Sequence, residues 1–473
     1  MFVGRSRELT ALRAQFDGAA PSLAVVYGRR RVGKSTLLQQ AMEGRPGVYF
    51  QATRVSDADS QRLFKVAVQQ AFGEDVLLQG VSGWESLFVY LRRKAREVAS
   101  AGDKGLVVIV DEFPYLCDDN NSLPSVMQKV WDEVRRSEDP LKLVLCGSQV
   151  AFMEDLLAER NPLHGRQSLD LDIGPLSYRD AAEMFPGWAP DELLRAWGVF
   201  GGMPYYLSLC DPDQDLRANV CRLVLEDGAP LRDEPMQLLQ AELSSPARYA
   251  SMLRAIADGL TERGEIVNRV LSKGESGSNM APYFERLERL RLIRRMYSLD
   301  VRAPEKSRNS RYFLHDSFLA FHFRFVLPNV SALQSGHADA VWNLKIAPYL
   351  DDYMGERFEE ICREWLKLYG QERLGVPAQT AGKIWSRDYD VDVAGTLLDD
   401  RRVAGECKWW KKPVGGNVLS ELQQDAAKSP YFAGSDPVWV LFGRGGFTAD
   451  LRQAAKGDPR VELLTPRDLL ARG

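Results

Sequence analysis

The run Gly28-Arg29-Arg30-Arg31-Val32-Gly33-Lys34-Ser35 places glycines, a lysine and a hydroxyl at the spacing G-x-x-x-x-G-K-[ST]. An apolar stretch, Leu23–Tyr27, precedes it, and a helical stretch, Thr36–Met42, follows. Glycines let backbone N–H groups curl around phosphate oxygens, and the positive end of the following helix faces the anion. Lys34 is then expected to reach the β- and γ-phosphates of ATP and Ser35 to ligate Mg2+. Gly28, Arg31, Gly33 and Thr36 complete the nucleotide contacts expected of the loop. A second run, Leu106-Val107-Val108-Ile109-Val110-Asp111-Glu112, reads as a buried strand ending in two acids. Asp111 is placed to hold Mg2+ through water, and Glu112 to act as general base on the attacking water. A further strand ends in Gly147-Ser148-Gln149, where a γ-phosphate sensor belongs; Ser148 is the first candidate and Gln149 the second. A plain helix cap is the alternative reading of that pair.

A second constellation lies near the C-terminus. Asp392 closes the strand-like run Tyr389-Asp390-Val391-Asp392-Val393, and Glu406-Cys407-Lys408 sits in the next one. An acid followed by E-x-K on the adjacent strand is the spacing of PD-(D/E)xK nucleases. Because side chains alternate along a strand, Glu406 and Lys408 share a face and converge on Asp392 across the hairpin. Two carboxylates so placed hold Mg2+, or Mn2+, which activates a water, while Lys408 stabilises the developing charge. Glu359, or else Glu356, of the preceding helix is expected to add a metal contact, and Gln423 a later polar one. A nuclease-like fold kept for binding, and ordinary surface charge, are the competing readings.

The elements that position these residues form an α/β multidomain pattern. Up to residue 177, apolar β-branched runs (Leu23–Tyr27, Gly47–Gln51, Leu106–Val110, Lys142–Cys146, Leu169–Ile173) alternate with helical stretches. This predicts a parallel sheet covered on both faces. A helical lid is expected over 178–245, interrupted by Gly201-Gly202-Met203-Pro204. Over 246–328 come helices at Tyr249–Ile256, Glu265–Leu271 and Asn279–Arg291, then β-like runs Leu292–Leu299 and Arg311–Leu314, the order of a winged helix. A linker is expected over 329–348, and an α/β restriction-endonuclease-like domain over 349–473.

The 473 residues, 45% hydrophobic and 27% charged, predict several globular domains and exclude disordered, collagenous and coiled-coil classes. No apolar run reaches 18 residues, and Met1-Phe2-Val3-Gly4-Arg5 lacks the regions of a signal peptide, so a cytoplasmic protein without membrane contact is expected. Six scattered cysteines without a C-x-x-C pair support neither disulfides nor zinc. The formal charge of -4 does not announce a nucleic-acid binder, but Tyr283 to Arg324 holds ten basic residues against five acidic. Arg286 and Arg289 of the third helix, with Lys306 and Arg308 of the loop after it, are the expected phosphate contacts to DNA. A Glu285–Arg289 pair on a solvated face is the alternative.

Residues 1–330 resemble the archaeal-type ATPase family of the STAND branch of AAA-like P-loop ATPases. The resemblance is carried by Phe2-Val3-Gly4-Arg5 with Glu8-Leu9, the Gly28–Ser35 loop, Val110-Asp111-Glu112-Phe113, Pro162-Leu163-His164-Gly165-Arg166 and Gly201-Gly202-Met203-Pro204-Tyr205-Tyr206-Leu207. It implies adenine packing by Val3, Gly4 and Arg5, a lid contact from Pro204, a charge sensor at Arg166, and slow turnover suited to a switch. The sequence departs from the family at Gln149, where Ser is usual, and at His164, where Tyr is common. The C-terminal part resembles the domains of unknown function that follow these ATPases and carry a restriction-endonuclease-like core. Tyr353–Cys362 and Gly405–Trp409 carry that match. The combined expectation is an ATP-binding, slowly hydrolysing switch that regulates a metal-dependent, nuclease-like domain acting on DNA, with a homo-oligomer or a regulatory protein as further partners. A non-cutting, nucleotide-gated DNA- or partner-binding regulator is the alternative.

Overall fold

The computed structural model describes residues 2–271, 280–301, 303, 307 and 310–472. The chain divides into two compact units, Phe2–Leu176 with Met203–Tyr205, and Ser177–Gly202 with the chain from Tyr206 onward.

The first unit is built on strands β1 (Ser22–Tyr27), β2 (Gly47–Gln51), β3 (Leu106–Asp111), β4 (Leu141–Gly147) and β5 (Leu169–Asp172). They pair in parallel in the order β2-β3-β4-β1-β5. The expectation that every strand is covered on both faces holds for the three central ones alone. β1, β3 and β4 are buried at every position, whereas β2 and β5 alternate. These two are the edges, where one face packs and the other meets solvent, so Asp170 and Asp172 are tolerated in β5. Apolar residues of the sheet pack with Phe64, Trp84, Phe88, Trp131 and Val134 from the crossover helices. The two acids of Leu106–Glu112 and the loop after β1 therefore leave the sheet at its carboxyl end, where parallel α/β sheets bind ligands.

The second unit begins with short helices, among them Pro190–Phe200 and Glu234–Glu242. Helices Pro246–Ala257, Arg263–Val270 and Ala281–Arg289 follow, then the antiparallel pair β6 (Ile293–Tyr297) and β7 (Ser310–Leu314). Asn279, Lys306 and Arg308 lie outside the described residues, as does Arg302. The stretch expected as a linker is folded into consecutive helical turns from Leu327 to Tyr349 that bury Leu333, Val341, Trp342 and Ile346. Its Ser, Gly and His residues suggest a loop, but the apolar residues recur at helical spacing and decide otherwise.

Helix Leu350–Leu368 leads into a mixed sheet of β8 (Ala378–Trp385), β9 (Asp390–Leu397), β10 (Arg402–Lys408), β11 (Val438–Gly443) and β12 (Val461–Leu464), in the order β12-β11-β10-β9-β8. β8 and β12 escape the sequence reading. The Ala378–Trp385 run carries Gly382 and Lys383 among small residues, with no alternation to betray a strand. All six cysteines are buried and free. No helix among the described residues is long and apolar enough to cross a membrane.

Candidate functional site

In the first unit the loop after β1 is shaped by its backbone. Gly28 has φ 155° and Gly33 φ 91°, and a Cβ on Gly28 would sit 2.2 Å from the carbonyl oxygen of Ile173. Only glycine tolerates both the left-handed conformation and that approach. Lys34 opens the helix Lys34–Met42 and is buried; its Nζ donates to the carbonyls of Gly28 (2.8 Å) and Arg29 (3.1 Å). The ammonium is thus held inside the loop it serves, and Thr36 is exposed in the helix's first turn.

Asp111 at the end of β3 is 1% exposed, and its Oδ2 accepts from Ser35 Oγ at 2.6 Å. The same oxygen accepts from Tyr49 Oη at 2.6 Å. Tyr49 was not anticipated from the sequence: it stands on β2, beside β3, and its role follows from parallel pairing rather than from any local motif. Burial and the neighbouring Asp111 carboxylate push the Tyr49 phenol well above its ordinary range. A serine hydroxyl and a carboxylate meeting at the loop fit Mg2+, a hard cation bound through oxygen.

Glu112 has φ 56°, a left-handed conformation costly for a residue with a side chain. That turn carries its carboxylate to Ser148, whose backbone N–H (3.1 Å) and Oγ (2.8 Å) both donate to Oε2. Of the two sensor candidates it is Ser148 that meets the general-base candidate. Gln149 precedes the helix Val150–Leu157 and makes no side-chain cap.

The N-terminal residues are tied to the same loop. Arg5 donates to the carbonyls of Val32 (3.2 Å) and Gly174, and pairs with Glu8 at 3.1 Å. Val3 and Gly4 immediately before it are half-buried. Pro204 lies 3.5 Å from the position a Gly33 Cβ would take, and the Arg31 guanidinium stacks 4.6 Å above the Tyr205 ring. Arg166 is engaged elsewhere. Its Nε and Nη2 donate to the two carboxylate oxygens of Asp132 at 2.8 and 2.9 Å, and Nη1 donates to the Pro162 carbonyl.

In the second unit Glu359, Asp392, Glu406 and Lys408 line one cavity of about 580 Å³, together with Lys383, Asp390 and Asp425. Glu359 comes from helix Leu350–Leu368, Asp390 and Asp392 from one face of β9, and Glu406 and Lys408 from one face of β10. Glu356 is exposed and pairs with Arg357, and Gln423 is exposed; Asp425, two residues on, is the residue of that helix that lines the cavity. Asp392 Oδ2 accepts from the Cys407 N–H at 3.1 Å, which ties β9 to β10 beyond their last paired residues.

Lys383, absent from the sequence reading, is the centre of this cluster. Its Nζ stands 2.9 Å from Asp392 Oδ1, 3.0 Å from Glu359 Oε2 and 3.2 Å from Asp390 Oδ1. Lys408 pairs with Glu406, and Arg363 donates to Glu359 at 3.1 Å. Lys383 holds the Asp392 carboxyl below its usual range. Burial and the Asp392 charge push Glu406 up to about 7. Among the described residues no three His, Cys, Asp or Glu side chains form a group able to hold a metal ion. As arranged, these carboxylates do not fit a divalent cation, because an ammonium already spans Glu359 and Asp392.

Arg286 donates to the Glu242 carbonyl at 3.2 Å and is half-buried, whereas Arg289 is exposed. The two arginines expected to point away from the buried stripe are thus unequal.

A parallel sheet of this order, with a lysine-serine loop after β1 and an acid pair after β3, is the core of a P-loop nucleotide-binding ATPase. The profile of an ATPase domain predominantly from Archaea matches residues 2–210, and that of Archaea bacterial proteins of unknown function matches residues 322–426. An uncharacterized protein of Methanocaldococcus jannaschii is 30% identical over 440 residues, 92% of this chain and 93% of the relative. The Walker-type ATPase of Pyrococcus abyssi, a solved structure, shares the fold with a TM-score of 0.51 at 20% identity, over 68% of this chain and 96% of its own. The chain belongs to the archaeal-type ATPase family in which this domain is followed by a C-terminal domain of unknown function.

Proposed function

We propose that this protein is a slowly hydrolysing, STAND-type ATP switch that regulates a nuclease-like C-terminal domain acting on DNA. The observation that carries the reading is the convergence of Glu359, Asp392, Glu406 and Lys408 on one cavity, in a chain whose other unit holds a complete phosphate loop.

At the loop, Mg2+ bound with ATP would neutralise phosphate charge, held by Ser35 and, through water, by Asp111. Lys34 exchanges its two carbonyl acceptors for phosphate oxygens. Glu112, aimed by Ser148, takes the proton of the attacking water. Ser148 therefore senses the γ-phosphate through the base it holds. Val3, Gly4, Arg5 and Pro204 enclose the adenine end. Arg166 serves as the charge sensor once it exchanges Asp132 for the nucleotide. Helices Pro246–Arg289 with β6 and β7 act as a winged helix, and Arg289, with Lys306 and Arg308, contacts DNA phosphates.

A second reading, a non-cutting regulator that binds DNA or a protein partner, is favoured by one observation: Glu359, Asp392 and Glu406 each already have a lysine. Supercoiled plasmid incubated with the full-length protein and Mg2+ or Mn2+, with and without ATP, separates the two. Cleavage that is lost in Glu406→Ala and Asp392→Ala and altered by ATP is the expected result. A protein that binds ATP, binds DNA equally with and without EDTA, and leaves the plasmid intact is the regulator.

A further inference from the structure

The geometry points to Lys383 as a built-in cation that locks the carboxylate cavity, held there by the segment following β6. The inference rests on the reading of that cavity as a cation-dependent site, and adds how the site is kept closed.

Lys383 is 9% exposed, and its ammonium bridges carboxylates from two different elements, the helix that carries Glu359 and the strand that carries Asp392. A buried carboxylate, Asp392, facing a half-buried one, Glu359, needs positive charge between them. A divalent ion is one way to supply it, and a lysine is the other. The backbone of β9 is bent to meet this lysine. Between the pairs Gly382–Ala394 and Ile384–Val391 the β8–β9 register shifts, so Lys383 stands opposite two residues, Asp392 and Val393. Such a bulge re-aims a side chain at the cost of local pairing, and β8 is an edge strand with its outer side open for another partner.

That partner is the chain leaving β6. The Leu299 N–H donates to the Lys383 carbonyl at 3.1 Å, and the Trp385 N–H donates to Ser298 Oγ at 3.0 Å. The two bonds clamp Lys383, opposite the bulge, and Trp385, two residues further along β8. Asp300 accepts from Ser298 Oγ at 2.6 Å and from Tyr389 Oη at 2.7 Å, and Arg311 of β7 stacks 4.9 Å from the Trp385 ring. Arg294 of β6 pairs with Glu360, the residue next to Glu359, at 3.0 Å. A Cβ on Gly382 would meet the Leu299 side chain at 2.9 Å, so the approach needs glycine. The hairpin β6–β7 thus grips both elements that bound the lysine's position. Displacing it frees the bulge, withdraws Lys383, and leaves Glu359 and Asp392 to a divalent ion.

Mn2+ binding without nucleotide, counted by electron paramagnetic resonance of free Mn2+ on the full-length protein, tests this. Lys383→Met is expected to bind one more Mn2+ per chain than wild type, or the same number at least tenfold more tightly. Lys383→Arg, which keeps the charge, should match wild type, and Lys383→Met with Asp392→Asn should lose the gain. Should Lys383→Met unfold for want of the ammonium, Mn2+ is expected to restore its thermal transition, since an ion bound only by the folded state stabilises it. Ser298→Ala, which keeps the lysine but releases one clamp, should bind Mn2+ several-fold more tightly than wild type. Equal Mn2+ binding by wild type, Lys383→Met and Ser298→Ala overturns the lock. A gain in the variants without any DNA cleavage leaves the lock standing and removes the nuclease reading instead.

Discussion

Lys34, Glu112 and Ser148 are each fixed by bonds that a nucleotide would replace or use, which makes their variants separable. Lys34→Ala removes a charged donor to phosphate, each such bond being worth about 1.5–3 kcal/mol. ATP affinity, read with a fluorescent analogue, is expected to fall about tenfold to a hundredfold by the same arithmetic. Glu112→Gln keeps the hydrogen bonds from Ser148 but cannot take a proton. It should bind ATP as wild type does and lose hydrolysis by a factor on the order of 10²–10⁴ in single-turnover assays. Away from both sites, burial pushes Glu364 up to about 7, although its Oε1 accepts from the Tyr178 N–H at 3.2 Å. Between its ordinary value of 4.5 and 7 the folded protein holds a proton that the unfolded chain has released. Stability therefore falls as pH rises through that window, and the cost is complete above it. Glu364→Gln should match wild type at pH 4 and exceed it at pH 8 by on the order of 3 kcal/mol in urea unfolding.

At the scale of elements, the phosphate loop is a backbone object. Gly28→Ala would set a Cβ 2.2 Å from the Ile173 carbonyl, just beyond β5, in a left-handed conformation. Relief requires β1 and the chain after β5 to part, and the expected loss is about 1–3 kcal/mol in calorimetry, with nucleotide binding lost as well. A lower melting temperature with intact ATP affinity would show instead that the loop repacks independently of the strand. The same scale explains where sequence patterning misleads. Leu169–Ile173 reads as a buried strand from its leucines, yet Asp170 and Asp172 face outward because β5 pairs on one side only. The 329–348 stretch reads as a linker from its polar residues, yet its buried Leu333, Val341, Trp342 and Ile346 make it part of the packed second unit.

Over the whole molecule, a net charge of -4 coexists with a segment, Tyr283 to Arg324, that holds ten basic residues against five acidic. DNA affinity measured across a salt series should accordingly be steep, because each phosphate neutralised releases counterion. Arg289→Ala is expected to lower the slope of log K against log salt by about 1, whereas Arg286→Ala, whose side chain already serves the Glu242 carbonyl, should leave it nearly unchanged. A slope that neither variant moves would transfer the DNA contact to another part of the chain.

What the sequence determined by itself is local: the loop from Gly28 to Ser35, the acids closing β3, and the E-x-K run of β10. In each, neighbours in the chain are neighbours in space, so spacing alone assigns a shared face or a shared turn. The tertiary structure decided everything that depends on pairing between distant segments. It chose Ser148 over Gln149, because only one reaches Glu112; it set Tyr49 on Asp111; and it gave Arg166 to Asp132. Above all it placed Lys383 between Glu359 and Asp392, through a register shift and an edge contact with Leu299 that no periodicity announces. A bulge is a relation between two strands, and its consequence for a side chain exists only once both are in place.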